Sequence, residues 1–64
     1  MKTFATINDV EAIRETEKAV LCSWDGEEHW VPKSQIAEVS DVHGEGDSGD
    51  LVVTEWWAVQ AEVL

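Results

Sequence analysis

Sixty-four residues, 44% of them hydrophobic, make one small domain; a chain this short buries only about 60% of the surface its unfolded form exposes, so a small core is expected and disorder is not. No apolar run reaches the ~18 residues of a membrane span, no basic stretch precedes an apolar one as in a signal peptide, and the lone Cys22 fits a reducing, cytoplasmic setting without a disulfide framework. Four Lys and Arg against 14 Asp and Glu give a net charge of −10, with −1 in residues 1–18 and −9 in residues 19–64; this exceeds the magnitude of about 2–8 that solubility asks of a small domain and points to a basic partner.

The N-terminal third leaves two readings open. Asn8 with Glu11 resembles a capping box, and Val10 and Ile13 stand three apart as in a helix. The apolar spacing lapses at Arg14-Glu15-Thr16-Glu17-Lys18, which favours the other reading, a strand through Val10–Arg14 turning at Glu15–Lys18. A hairpin follows: Ala19–Trp24, then Asp25-Gly26, then Glu27–Val31. Asp-Gly suits a two-residue type I′ turn, whose central residues both need positive φ. That loop length pairs Trp24 with Glu27, Cys22 with His29 and Leu21 with Trp30. Pro32 lacks a donor and ends the ladder. A bend through Lys33-Ser34-Gln35 precedes an apolar alternation at Ile36–Val39.

Ser40–Asp50, with three glycines and four acids, reads as a solvated loop that packs against nothing. Leu51–Thr54 is β-branched and reads as a strand. From Glu55 onward Trp56, Val59 and Val63 fall at helical spacing, as do Trp57, Ala61 and Leu64, so a short C-terminal helix is expected. The expected fold is all-β or α+β: a small twisted antiparallel sheet of four or five strands, partly closed into an SH3-like or OB-like barrel, with that helix at the end.

Candidate chemistry is sparse. Counting Asp41 as position 1, a calcium loop would use Asp41, His43, Glu45, Gly46 and Asp47, yet position 12 is Val52 where a bidentate Glu is required. Cys22 opposite His29 sets a thiol beside an imidazole, without the pocket and orienting groups a nucleophile needs; a small buried hydrophobe is the simpler role. Two histidines and one cysteine make no zinc set. No cofactor and no metal are expected. Four tryptophans could stack on bases, but direct nucleic-acid binding needs Arg14, Lys18 and Lys33 to converge on one patch. Of the tryptophans, Trp24 and Trp30 are expected to cap the core with one of Trp56 and Trp57; the other is left as an exposed anchor.

Three stretches carry a resemblance: Thr16-Glu17-Lys18-Ala19, Trp30-Val31-Pro32-Lys33-Ser34-Gln35-Ile36, and Glu55-Trp56-Trp57-Ala58. Residues 16–58 are similar through them to a group of small bacteriophage and prophage proteins with no assigned activity. The resemblance implies a phage origin and a compact β-rich fold, and brings no catalytic residue. Its pattern has an aliphatic residue where this chain has Trp57, and Trp56 matches it, so Trp56 reads as the structural indole and Trp57 as the open case.

The reading that follows is a non-enzymatic, acidic, phage-type protein in the cytoplasm of a bacterial host. It would inhibit a basic host protein, a nucleic-acid-binding enzyme or CRISPR effector, by presenting carboxylates where phosphates bind, by analogy with anti-CRISPR and other DNA-mimic inhibitors. The expected contact residues are Asp25, Glu27 and Glu28 on the hairpin, Asp41, Glu45, Asp47 and Asp50 in the loop, and Trp57. The alternatives are a single-strand nucleic-acid-binding or recombination accessory barrel using Trp with Lys18 and Lys33, and a self-associating structural protein.

Overall fold

The structure, a computed structural model, describes residues 3–63; Lys2 of the charge count and Leu64 of the helical spacing lie outside them. Four strands and one helix run in the order β1 (Phe4–Glu15), β2 (Ala19–Trp24), β3 (Glu27–Pro32), a 3-10 turn (Lys33–Gln35), β4 (Ser48–Thr54) and α1 (Glu55–Gln60). The sheet is antiparallel with strand order β3-β2-β1-β4. Past the 3-10 turn, Ile36 bridges Val53 and the Ala37 amide donates to the Val52 carbonyl at 2.8 Å, so the chain leaving β3 covers part of the outer edge of β4. This gives the small, mostly antiparallel β-rich globule with a C-terminal helix that the sequence implies.

The N-terminal third is a strand, and a longer one than the spacing suggests. β1 pairs with both β2 and β4 and changes register twice, between Ile7 and Val10 and between Ala12 and Arg14. Across the first irregularity, where Asp9 takes a positive φ of 57°, the core-facing set switches from Ala5 and Ile7 to Val10 and Ala12. An extra residue moves every later side chain to the other face, which breaks the alternation and imitates a helical Val10–Ile13 spacing.

The hairpin has the expected register: Trp24 pairs with Glu27, Cys22 with His29 and Leu21 with Trp30. Asp25 and Gly26 take φ of 53° and 77°, the left-handed pair that a two-residue turn matching the strand twist requires. Val20, Cys22, Trp24 and Val31 point into the core with Val10, Ala12, Leu51, Val53, Trp57 and Ala58. Trp30 does not: it sits on the opposite face at 49% exposure, because it pairs with Leu21, one residue out of phase with the inward set.

Ser40–Asp50 corrects the expectation of a loop that packs against nothing. Val42 is 0% exposed in the core. Ser40 is buried, and its Oγ accepts from the Val42 amide at 3.2 Å and the Val52 amide at 3.0 Å. Ser48–Asp50 already belong to β4.

α1 starts where expected. Thr54 caps it, its Oγ1 accepting from the Trp57 amide at 3.3 Å, with Glu55 in the first turn against the positive end of the dipole. It ends in a Schellman-type turn: Glu62 at φ 60°, its amide to Val59, and the Val63 amide to the Ala58 carbonyl at 3.0 Å. The core takes Trp57 and Ala58, with Ala61 and, from the other apolar set, Val63 packed against it. Trp57 is 8% exposed and Trp56 65%. The assignment of Trp57 as a surface anchor is therefore corrected: the indole at the resemblance's aliphatic position fills the core, and Trp56 faces solvent.

Candidate binding face

The outer face of the sheet has an acidic row. Ser23 pairs with Glu11 on one side and Glu28 on the other, so two exposed carboxylates flank a central serine. With strands about 4.8 Å apart, their Cα atoms stand roughly 10 Å from one another. At the hairpin tip Asp25 and Glu27 are also exposed. Among the described residues, the ion pairs are Lys33–Glu15 and a 3.5 Å contact from Glu27 Oε1 to His29 Nε2, which is ionic only when the imidazole is protonated. Glu11, Asp25 and Glu28 have no cation partner among the described residues.

The next row on the same face is Arg14–Leu21–Trp30. Leu21 lies outside the core cluster yet is only 9% exposed, flanked by the Arg14 and Trp30 positions. Beyond it, at the far end of the sheet from the hairpin turn, the Lys33 amide donates to the Lys18 carbonyl at 2.8 Å. Arg14, Lys18 and Lys33 thus share one end of the sheet, and the hairpin carboxylates share the other, with Trp30 between them. Lys33 is partly spoken for: its ammonium bonds the Glu15 carboxylate.

The loop carboxylates have different work. Asp47 Oδ2 accepts from the amides of His43 and Gly44, both at 3.0 Å, and these two bonds hold its carboxyl below the usual 3.8. Asp41 Oδ2 accepts from the Asp50 amide at 3.1 Å. That approach depends on Gly49, which sits at φ 130° and whose missing Cβ would lie 2.9 Å from the same oxygen. Asp50 Oδ1 accepts from Asn8 Nδ2 at 3.2 Å. Glu45 is exposed, and its amide donates to Glu15 Oε1 at 3.0 Å. Glu15 is held below its ordinary 4.5 first by the Lys33 hydrogen bond and then by the Glu45 amide. Of the expected contact residues, the structure therefore leaves Asp25, Glu27, Glu28 and Glu45 with solvent-facing carboxylates, ties Asp41 and Asp47 into the loop and Asp50 to Asn8 of β1, and buries Trp57.

Cys22 and His29 are cross-strand partners as expected, but they form no reactive pair. The thiol is fully buried and donates weakly to the Val20 carbonyl at 3.9 Å, and burial pushes it up to about 11; it is a neutral thiol near pH 7. The His29 ring stacks on Trp24 instead, with centroids 4.3 Å apart and planes 21° from parallel. Among the described residues no three His, Cys, Asp or Glu side chains gather as a metal ion would need, and no helix is long and apolar enough to cross a membrane.

Glu11 and Trp30 are the face residues that sequence reasoning missed. Val10-Glu11-Ala12, an apolar–acidic–small alternation, carried the signal for Glu11. The predicted Leu21–Trp30 pairing already implied a Trp30 out of phase with Val20 and Cys22. Comparison with known proteins gives no match: no protein-family model, curated protein or solved structure resembles this chain closely enough to place it.

Proposed function

We propose that this chain is a non-enzymatic acidic binding protein that occupies a basic surface on a partner, as a phage-type inhibitor of a host nucleic-acid-handling protein does. The observation that carries the reading is the outer-face pair Glu11 and Glu28 beside the exposed Trp30, with Asp25 and Glu27 exposed at the hairpin tip. Carboxylates at spacings set by a rigid sheet can stand where backbone phosphates stand, and they steer encounter with a cationic groove. Trp30 takes the anchoring role that a surface indole fills at an interface. The phage origin rests on the motif resemblance, and a bacterial cytoplasmic setting follows from it.

A second reading has one observation in its favour: Arg14, Lys18 and Lys33 meet at one end of the sheet beside Trp30. That is the convergence a single-strand-binding accessory protein needs. Against it, the Glu15 carboxylate engages Lys33, Glu17 adjoins Lys18, and the whole chain carries −10.

Gel shifts with single- and double-stranded oligonucleotides at low salt separate the two. The inhibitor reading expects no shift, together with capture of a basic protein from bacterial lysate that duplex DNA releases. Tight oligonucleotide binding abolished by Trp30→Ala would overturn it in favour of the second reading.

A further inference from the structure

β3 is an edge strand, and its open side is specific about what it can accept. The two-residue turn makes Trp24 and Glu27 a hydrogen-bonded pair, and the alternation of an antiparallel ladder then turns His29 and Val31 toward β2 as well. The Lys33-to-Lys18 amide bond continues the same phase. Glu28 and Trp30 therefore direct their N–H and C=O groups away from β2, and Pro32, next in that series, has no N–H to offer. Among the described residues no strand or loop bonds to this side: β3 ends the strand order, and the bridge from Ile36 goes to β4. The free edge is thus two residues wide in donors and acceptors, bounded by the Asp25-Gly26 turn and by Pro32.

The geometry points to strand addition: an extended, cationic segment of the partner pairs with Glu28 and Trp30 and becomes a fifth strand of the sheet. This rests on the proposed basic partner and specifies how that partner is held. Charge selects the occupant. Glu27 and Glu28 lie on the edge strand itself, and Asp25 caps one end. Lysine or arginine at alternate positions of an incoming strand falls beside Glu28 on the outer face, within cross-strand pairing distance. A second copy of this chain is the wrong occupant: it brings the acidic edge strand of one body of −10 against that of another. The indole of Trp30, on the outer face, offers apolar surface to the stem of an incoming lysine or arginine, and a cation–π contact to its head.

Amide exchange on the full chain, read by NMR, tests this with three probes. They are a soluble peptide alternating lysine with valine and threonine, the same peptide with every lysine methylated on its backbone nitrogen, and an oligothymidylate. The first should slow exchange at Glu28 and Trp30, roughly tenfold at nine-tenths occupancy, while His29 and Val31, already bonded to β2, stay as slow as before. The methylated peptide has the same charge, but each backbone N-methyl stands where the strand would present an N–H to the Glu28 or Trp30 carbonyl, so it cannot seat and should protect neither amide. Equal side-chain perturbation by both peptides with no amide protection overturns strand addition and leaves the carboxylate reading standing. Protection that survives replacing every lysine of the first peptide by glutamate overturns the cationic occupant and the carboxylate reading with it. Perturbation of the Trp30 indole by the oligothymidylate alone overturns both in favour of nucleic-acid stacking.

Discussion

The hairpin Ala19–Pro32 and the loop Ser40–Asp50 are both acidic, but their carboxylates do opposite things. The hairpin holds its shape through backbone pairing and the positive φ of Asp25 and Gly26, so Asp25, Glu27 and Glu28 are left facing solvent. The loop has scattered backbone bonds, such as the Asp41 amide to the Asp50 carbonyl, and adds side chains as acceptors where a regular strand would use a neighbour: Ser40 on the Val42 and Val52 amides, Asp47 on His43 and Gly44, Asp41 on Asp50. Backbone amides that find no backbone carbonyl still need an acceptor. A run of acids is thus not one feature. Part of it holds the loop together, and part of it is available to a partner.

Substitutions should separate the two regions sharply. The largest effect belongs to Val42→Ala, which empties a fully buried site and should cost about 2–3 kcal/mol in chemical denaturation, whereas Val39→Ala, at a 78% exposed neighbour, should be silent. Ser40→Ala strands the Val52 amide and should cost about 1–2 kcal/mol; an unchanged denaturation midpoint would contradict the loop's dependence on that hydroxyl. Gly26→Ala, forced into a left-handed turn position, should cost about 1 kcal/mol, showing that the hairpin depends on its turn.

Asp47→Asn gives a pH signature. The Asp47 carboxyl titrates below its ordinary 3.8 in the folded state, so its stabilisation is present above the unfolded value and disappears as pH falls through the folded one. The stability gap between wild type and Asp47→Asn should be constant above about pH 5 and shrink below 3.8. A gap that widens on acidification would mean the carboxylate is not anchoring the His43 and Gly44 amides. The smallest stability effects are expected on the hairpin: Glu27→Gln and Glu28→Gln should each stay within about 0.5 kcal/mol of wild type. A larger loss in thermal melts would erase the distinction between the regions.

What was legible in the sequence follows the range of the interactions involved. The hairpin register could be read because Asp-Gly sets it locally within four residues, and the helix start because Thr54 and Glu55 are adjacent. The length of β1 was hidden by its two irregularities, which respond to pairing with two different strands. The packing of Val42 depends on partners such as Val52, ten residues away, through Ser40. Trp56 and Trp57 are interchangeable as a spacing pattern; which one enters the core depends on how α1 meets β1 and β4, and no local signal encodes that. The outer-face row of Glu11 and Glu28 could be assembled only once β1 was placed beside β2.

The most direct test of the account compares capture from bacterial lysate by three tagged proteins: wild type, a Glu11→Gln, Glu27→Gln, Glu28→Gln variant, and Asp47→Asn at neutral pH. The account predicts that wild type and Asp47→Asn, where folded, retain the same basic protein and release it to duplex DNA, while the triple variant retains none. Retention of that protein by the triple variant, unmoved by DNA, would contradict the assignment of binding to the Glu11, Glu27 and Glu28 carboxylates.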